Sequence, residues 1–235
     1  MNAPFTVKQG EAHGLPVMKF TLAYDGDLRS SGNSSRKTAE KWEIRKAFHP
    51  QLAELISVHP AMRTALKAAI IPAKGVFWVM QSHHSESESD PNDPTAKEFA
   101  PRETRNLYEP LVRGGKRFFP IVRESLALTC GLKILFLRKE EPGSLVLQGG
   151  DLDNRLKTLF DALRVPSEDE TQEDPLLDDP LYCLLESDTL ISGLTVETGR
   201  LLSRPNSSVH EVRLVIEVDI RAVLAMNYNT AFFSD

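Results

Sequence analysis

Residues 149–163 read GGDLDNRLKTLFDAL, and this stretch holds the densest set of side chains able to do chemistry. Asp151 and Asp153 stand two residues apart where a loop enters a helix. In an extended approach, residues i and i+2 point to the same side, so both carboxylates can face one point. Two such oxygen donors can hold Mg²⁺, a cation that keeps most of its waters and accepts a phosphate oxygen. Lys157 follows Asp153 by one helical turn on the same face. There it can contact a scissile phosphate or balance developing negative charge. Asp161 continues that face another turn along. Leu156, Leu159, Phe160 and Leu163 fall at i, i+3, i+4 and i+7 and make the opposite face an apolar stripe. The same residues admit a plainer reading. Asp and Asn are common helix caps that suit the helix dipole, and Lys157 between Asp153 and Asp161 can form a surface ion-pair ladder. A calcium loop does not fit, because Arg155 and Leu156 occupy the places that need Asp or Asn and then Gly.

Elements that could position these residues are legible around them. Four segments alternate as strands do: Val17 to Tyr24, Leu126 to Leu137, Leu190 to Thr198 and Val212 to Arg221. A fifth apolar run, Gly75 to Met80, suits either a strand or buried coil. Ser34-Ser35 can cap a helix from about Arg36 to Ile56 that carries Trp42, Phe48, Leu52 and Leu55 as core, with Pro50 expected to end or kink it near His49. Pro60 can start another helix, Ala61 to Ala69. The clearest helix spans Asp153 to Arg164. The order strand, helices, strands, helix, strands predicts an α+β fold, a mixed β-sheet flanked by helices. We expect one domain over 1–235, with a flexible loop inserted near 82–100 and an acidic insertion near 165–187.

The chain has 235 residues and a formal net charge of −5, which on its face argues against a nucleic-acid partner. The acidity is concentrated, however. Val165 to Leu190 holds nine acids and no Lys or Arg, so the −5 resolves into −9 in that segment and +4 elsewhere. Such a like-charged block tends to stay a solvated loop. Basic clusters in the body include Arg36, Lys37, Lys41, Arg45 and Lys46. Later come Arg113, Lys116, Arg117 and Arg123. In Arg113-Gly114-Gly115-Lys116-Arg117-Phe118-Phe119 the cations Arg113, Lys116 and Arg117 can contact a DNA backbone while the aromatics stack or wedge. A solvated edge strand explains that cluster equally well. No apolar run approaches the ~20 residues of a membrane span. No signal-peptide core is seen, and Cys130 and Cys183 do not suggest a disulfide scaffold, so a reducing, cytoplasmic location is expected.

The stretch DLDNRLKTLFDAL resembles the signature of the RusA family of Holliday junction resolvases, D-x-D-N-x-x-K-x-x-x-D-A-L. Seven positions coincide: Asp151, Asp153, Asn154, Lys157, Asp161, Ala162 and Leu163. The family places a strand before this motif and a further Asp ahead of the next strand. Leu126 to Leu137 and Asp188, in ESDTLI, match those places. The resemblance implies a Mg²⁺-dependent endonuclease acting on branched DNA in recombination and repair, working as a homodimer. Its metal-binding and catalytic carboxylates would be Asp151, Asp153 and Asp188, with Lys157 as the catalytic lysine. Asn154 and Asp161 would be secondary, Asn154 orienting a carboxylate or capping the helix. Four-way junctions are nearly twofold symmetric, which suits a twofold dimer. Family members are much shorter, so the N-terminal helical region and both polar loops are additions. Glu186, Asp178 and Asp179 compete for the third carboxylate, and Asp188 is preferred because it stands at a strand entrance. The alternative function is a non-catalytic DNA-binding or scaffold protein with the same fold.

Other candidates are weaker. His83-His84 lies in a Ser-rich loop that lacks the fixed geometry and further ligands of a metal site. Cys130 sits on an apolar strand face and Cys183 has no CxxC partner or nearby His. No nucleophile elbow, P-loop or dinucleotide fingerprint is present.

Overall fold

In the computed structural model, residues 6–9, 15–30, 34–60, 62, 68–73, 76–81, 105–106, 109–139, 151–171, 180–202, 208–223 and 229 are described. The strands are β1 (Thr6–Gln9), β2 (Leu15–Asp27), β3 (Ala68–Ala73), β4 (Val76–Gln81), β5 (Arg105–Asn106), β6 (Leu111–Arg113), β7 (Lys116–Val122), β8 (Leu128–Arg138), β9 (Leu181–Leu185), β10 (Ile191–Arg200) and β11 (Glu211–Ala222). The α-helices among the described residues are α1 (Ser34–Val58) and α2 (Asp151–Leu163), and 3-10 turns lie at Glu124–Leu126, Glu168–Glu170 and Asp188–Leu190. The described residues thus form an α+β arrangement.

A five-stranded mixed sheet in the order β1-β10-β8-β11-β2 carries the main core. Alternation along its strands decides its two faces. In β8, Leu128, Leu132, Ile134 and Phe136 are buried while Lys133 and Leu135 are exposed. Leu214, Ile216 and Val218 of β11 join that inner face, which packs with Ile44, Phe48 and Leu52 of α1 and Leu156, Leu159 and Leu163 of α2. On the outer face, Lys133 pairs with Glu217 at 3.6 Å and Lys19 with Asp219 at 3.7 Å. A second sheet, β6-β7-β9, encloses a smaller core of Trp42, Phe118, Val165, Leu181 and Cys183. A third joins β4, β3 and β5.

β8 and β10 pair in parallel, which requires a crossover, and α2 lies in it. A crossover helix returns against the direction of its strands. Accordingly, the chain just beyond α2 meets β9, where Val165 N–H donates to Leu185 O at 2.9 Å. From there Glu186 and Ser187 lead to the turn at Asp188 and into β10.

Several expectations are corrected. α1 does not end near His49 but continues through Pro50 to Val58. Proline inside a helix costs about 3 kcal/mol, whereas burying side chains such as Phe48, Leu52 and Ile56 stabilises by about 1.5–3 kcal/mol each. Gln51 adds anchorage: its Oε1 accepts from Ala23 N–H at 2.9 Å and its Nε2 donates to Ala23 O at 2.8 Å. Because β2 is an edge strand, Gln51 also satisfies backbone groups that would otherwise be open to pairing.

Ala68 and Ala69, expected at the end of a helix, belong to β3, where Ile70 and Ile71 pair with β4. Leu126 is buried but leaves β8 for a 3-10 turn, because Ala127 takes a left-handed conformation at φ 53°. The acidic segment is not a solvated loop throughout. It contains β9, with Leu181, Cys183, Leu184 and Leu185 buried. In the Arg113–Phe119 cluster, Phe118 and Phe119 are buried, so neither is open to stack on or wedge into DNA. The loop near 82–100, with His83-His84, and the pair Gly149-Gly150 lie outside the described residues. No helix among the described residues is long and apolar enough to cross a membrane.

Candidate functional site

α2 begins at Asp151, so residues 151 and 153 lie on helical backbone and not on an extended approach. Positions two apart on a helix are separated by about 200° around the axis, and the common-side argument from an extended chain does not carry over. The side chain of Asp151 lies outside what is described. Asp153 and Lys157 do share a face: the ammonium is 2.9 Å from the carboxylate, and their side chains are 66% and 69% exposed. Asn154 is exposed on the first turn, and its carbonyl accepts from Thr158 Oγ1 at 3.0 Å. Arg155, inside the same motif, is buried and donates through Nη1 to Leu28 O at 2.9 Å. It ties the helix to the end of β2.

Asp188 opens its 3-10 turn, and that turn packs against α2. The segment is pinned on both sides. Ser187 Oγ accepts from Thr189 N–H at 3.3 Å. Glu186 N–H donates to Val122 O at 2.9 Å, and Glu186 Oε2 accepts from Glu124 N–H at 3.1 Å. A cleft of about 510 Å³ brings Asp188 together with Arg113, Asp161 and Arg164. Asp153 is not part of its wall. Asp153 thus pairs with Lys157, while Asp188 borders a cleft whose wall also includes Asp161. Asp178 and Asp179, the rival third carboxylates, lie outside the described residues.

Asp161 does not extend an open Asp-Lys-Asp face. Its Oδ2 is 2.8 Å from Lys41 Nζ, and its Oδ1 accepts from Arg164 Nε and Nη2 at 3.2 and 3.1 Å. These contacts belong to a charge network that residue spacing did not reveal. Glu170 accepts from Lys41 at 2.5 Å, lies 3.4 Å from Arg164 and 3.5 Å from Arg45, and also accepts from Ser167 N–H at 3.2 Å. Arg45 is almost fully enclosed and stacks over Trp42, 5.2 Å from the ring centroid. Trp42 Nε1 donates to Glu170 O at 2.8 Å. Burial alone would raise the Glu170 carboxyl's pKa, but the Lys41 hydrogen bond, the Arg164 charge and the Ser167 N–H together hold it below its ordinary value. The available signal was the i, i+4 pair Lys41 and Arg45 on α1 and an unmatched acidic run elsewhere.

Arg113, Lys116 and Arg117 sit on the β6–β7 hairpin, whose two-residue turn is Gly114-Gly115, at φ 52° and 73°. Positive φ at both turn positions is the geometry that glycine supplies most readily. Arg113 faces the cleft, while Arg117 is exposed.

As for a metal, Asp153 and Asp188 are exposed carboxylates, the hard oxygen donors that Mg²⁺ takes while keeping waters. Among the described residues, no three His, Cys, Asp or Glu side chains converge to hold an ion. No protein-family profile, curated protein or solved structure matches this chain.

Proposed function

We propose that this protein is a Mg²⁺-dependent endonuclease of RusA-like fold that hydrolyses phosphodiester bonds in branched DNA as a homodimer. The observation that carries this reading is the D-x-D-N-x-x-K stretch at the start of α2, with the Asp188 turn packed against the same helix. Asp151, Asp153 and Asp188 are the carboxylates that would hold the metal. When bound, Mg²⁺ would stabilise the charge that builds on the phosphoryl oxygens and help activate water. Lys157, exposed beside Asp153, contributes a cation to the scissile phosphate. Asn154 orients a neighbouring carboxylate or caps the helix, and Asp161, in the wall of the Asp188 cleft, pairs with Lys41 and Arg164. The acting protein is a cytoplasmic enzyme in this reading.

The test is nicking of a synthetic four-way junction, with Mg²⁺ and with EDTA, by the natural chain and by Asp153→Asn. Mg²⁺-dependent nicking lost in the variant supports the assignment. Equal cleavage by both sinks it.

A second reading is a DNA-binding protein of the same fold without catalysis. It is favoured by the placement of Asp188 in a cleft that Asp153 does not line, with no three carboxylates converging among the described residues. Junction binding with no Mg²⁺-dependent cleavage would select it.

A further inference from the structure

The 3-10 turn at Glu168–Glu170 presents two glutamates in opposite circumstances. Glu170 is 10% exposed and locked by Lys41, Arg45 and Arg164. Glu168 is 67% exposed and reaches the tip of the β6–β7 hairpin. Its Oε2 accepts from Gly114 N–H at 2.7 Å, and its Oε1 lies 4.0 Å from Arg113 Nε. A backbone N–H and a guanidinium on one oxyanion are the donors that a phosphate would recruit. Arg113 also borders the cleft that contains Asp188, so an anion held at this tip lies at the rim of that cleft.

We propose that Arg113 and the Gly114 N–H form a binding site for a nucleic-acid phosphate, and that Glu168 occupies it as a built-in competitor until DNA displaces it. The choice of a phosphodiester as ligand rests on the DNA reading above; the anion site itself comes from the hairpin geometry. Exchange at the site is local. An exposed ion pair is weakly held, and Glu170 keeps the turn docked when the Glu168 side chain rotates away. Close packing of Thr171 against Gly114 holds the rest of the segment on the hairpin.

The experiment is fluorescence anisotropy of a labelled four-way junction and of a labelled single strand, both in EDTA so that cleavage cannot intervene. Proteins compared are the natural chain, Glu168→Gln, Glu168→Ala, Arg113→Ala and the Glu168→Ala/Arg113→Ala double variant. Glutamine keeps the acceptor for Gly114 but loses the charge; alanine loses both. We expect Glu168→Gln to tighten binding about threefold and Glu168→Ala more, since a like charge leaves the phosphate's place. Arg113→Ala weakens binding, lowers the salt slope by about one, and removes the gain in the double variant. Unchanged affinity in both Glu168 variants, with the natural chain binding DNA, overturns the inference and leaves the DNA reading standing. Absence of DNA binding by every protein overturns both. Circular dichroism and melting curves establish that each variant is folded.

Discussion

Lys157 Nζ lies 2.9 Å from Asp153 Oδ2, one turn apart on the solvent-facing side of α2. Exposed i, i+4 pairs of this kind contribute only about 0.3–0.5 kcal/mol to folding. In the proposed nuclease these residues act on the reaction and not on the fold. Lys157→Ala and Asp153→Asn should each reduce junction nicking by about a hundredfold or more. Thermal melting should shift by no more than a degree or two, the reading that separates loss of chemistry from loss of structure.

Glu170 is expected to behave oppositely. Removing one partner of a buried ion network leaves charges uncompensated, which costs about 3–5 kcal/mol. Glu170→Gln should lower stability by about that amount in urea unfolding, whatever it does to DNA binding.

The pH dependence follows from the same carboxylate. The folded state holds the Glu170 pKa below its ordinary value, so the unfolded state takes up the proton first as pH falls. Its contribution is complete above the ordinary glutamate pKa, and it is lost as pH falls through the folded-state value. Urea midpoints measured from pH 7 to pH 3 should drop more for the natural chain than for Glu170→Gln. Parallel profiles would refute the linkage.

Cys130 and Cys183 are free, buried thiols whose pKa values burial pushes up to about 12; for Cys183 the Arg45 charge opposes that rise. Neither should react with iodoacetamide at pH 8 in the folded protein. Both should become labelled in urea, which mass spectrometry of the intact chain will read.

The two hairpin glycines should differ. An added Cβ at Gly114 meets the Thr171 side chain, whereas at Gly115 it meets open space. Both positions have positive φ. Gly115→Ala should therefore cost about 1 kcal/mol, and Gly114→Ala clearly more, in denaturant unfolding.

Where local periodicity carried the signal, the fold was legible. The alternation of β8 and β11 and the apolar stripe of α2 each appear in the structure on the faces their spacing predicts. β9 was not legible, because its short apolar run LYCLL follows a dense acidic stretch and charge composition dominated the reading. The expected span of α1 to Ile56 is met, and only the option that Pro50 ends the helix fails, for a related reason. Its local penalty is real, but packing by Phe48, Leu52 and Ile56 on either side outweighs it.

For the candidate site, the sequence by itself determined a helix with Leu156, Leu159 and Leu163 on one face and Asp153 with Lys157 on another. Those relations depend only on helical spacing. Tertiary structure alone decided which distant charges meet. Lys41 reaches Glu170 across 129 residues, and Asp188 shares a cleft with Asp161 and Arg164. Neither pairing is encoded in spacing, because both follow from chain reversal. The parallel pairing of β8 with β10 makes α2 a crossover, and the return through β9 delivers Asp188 beside that helix.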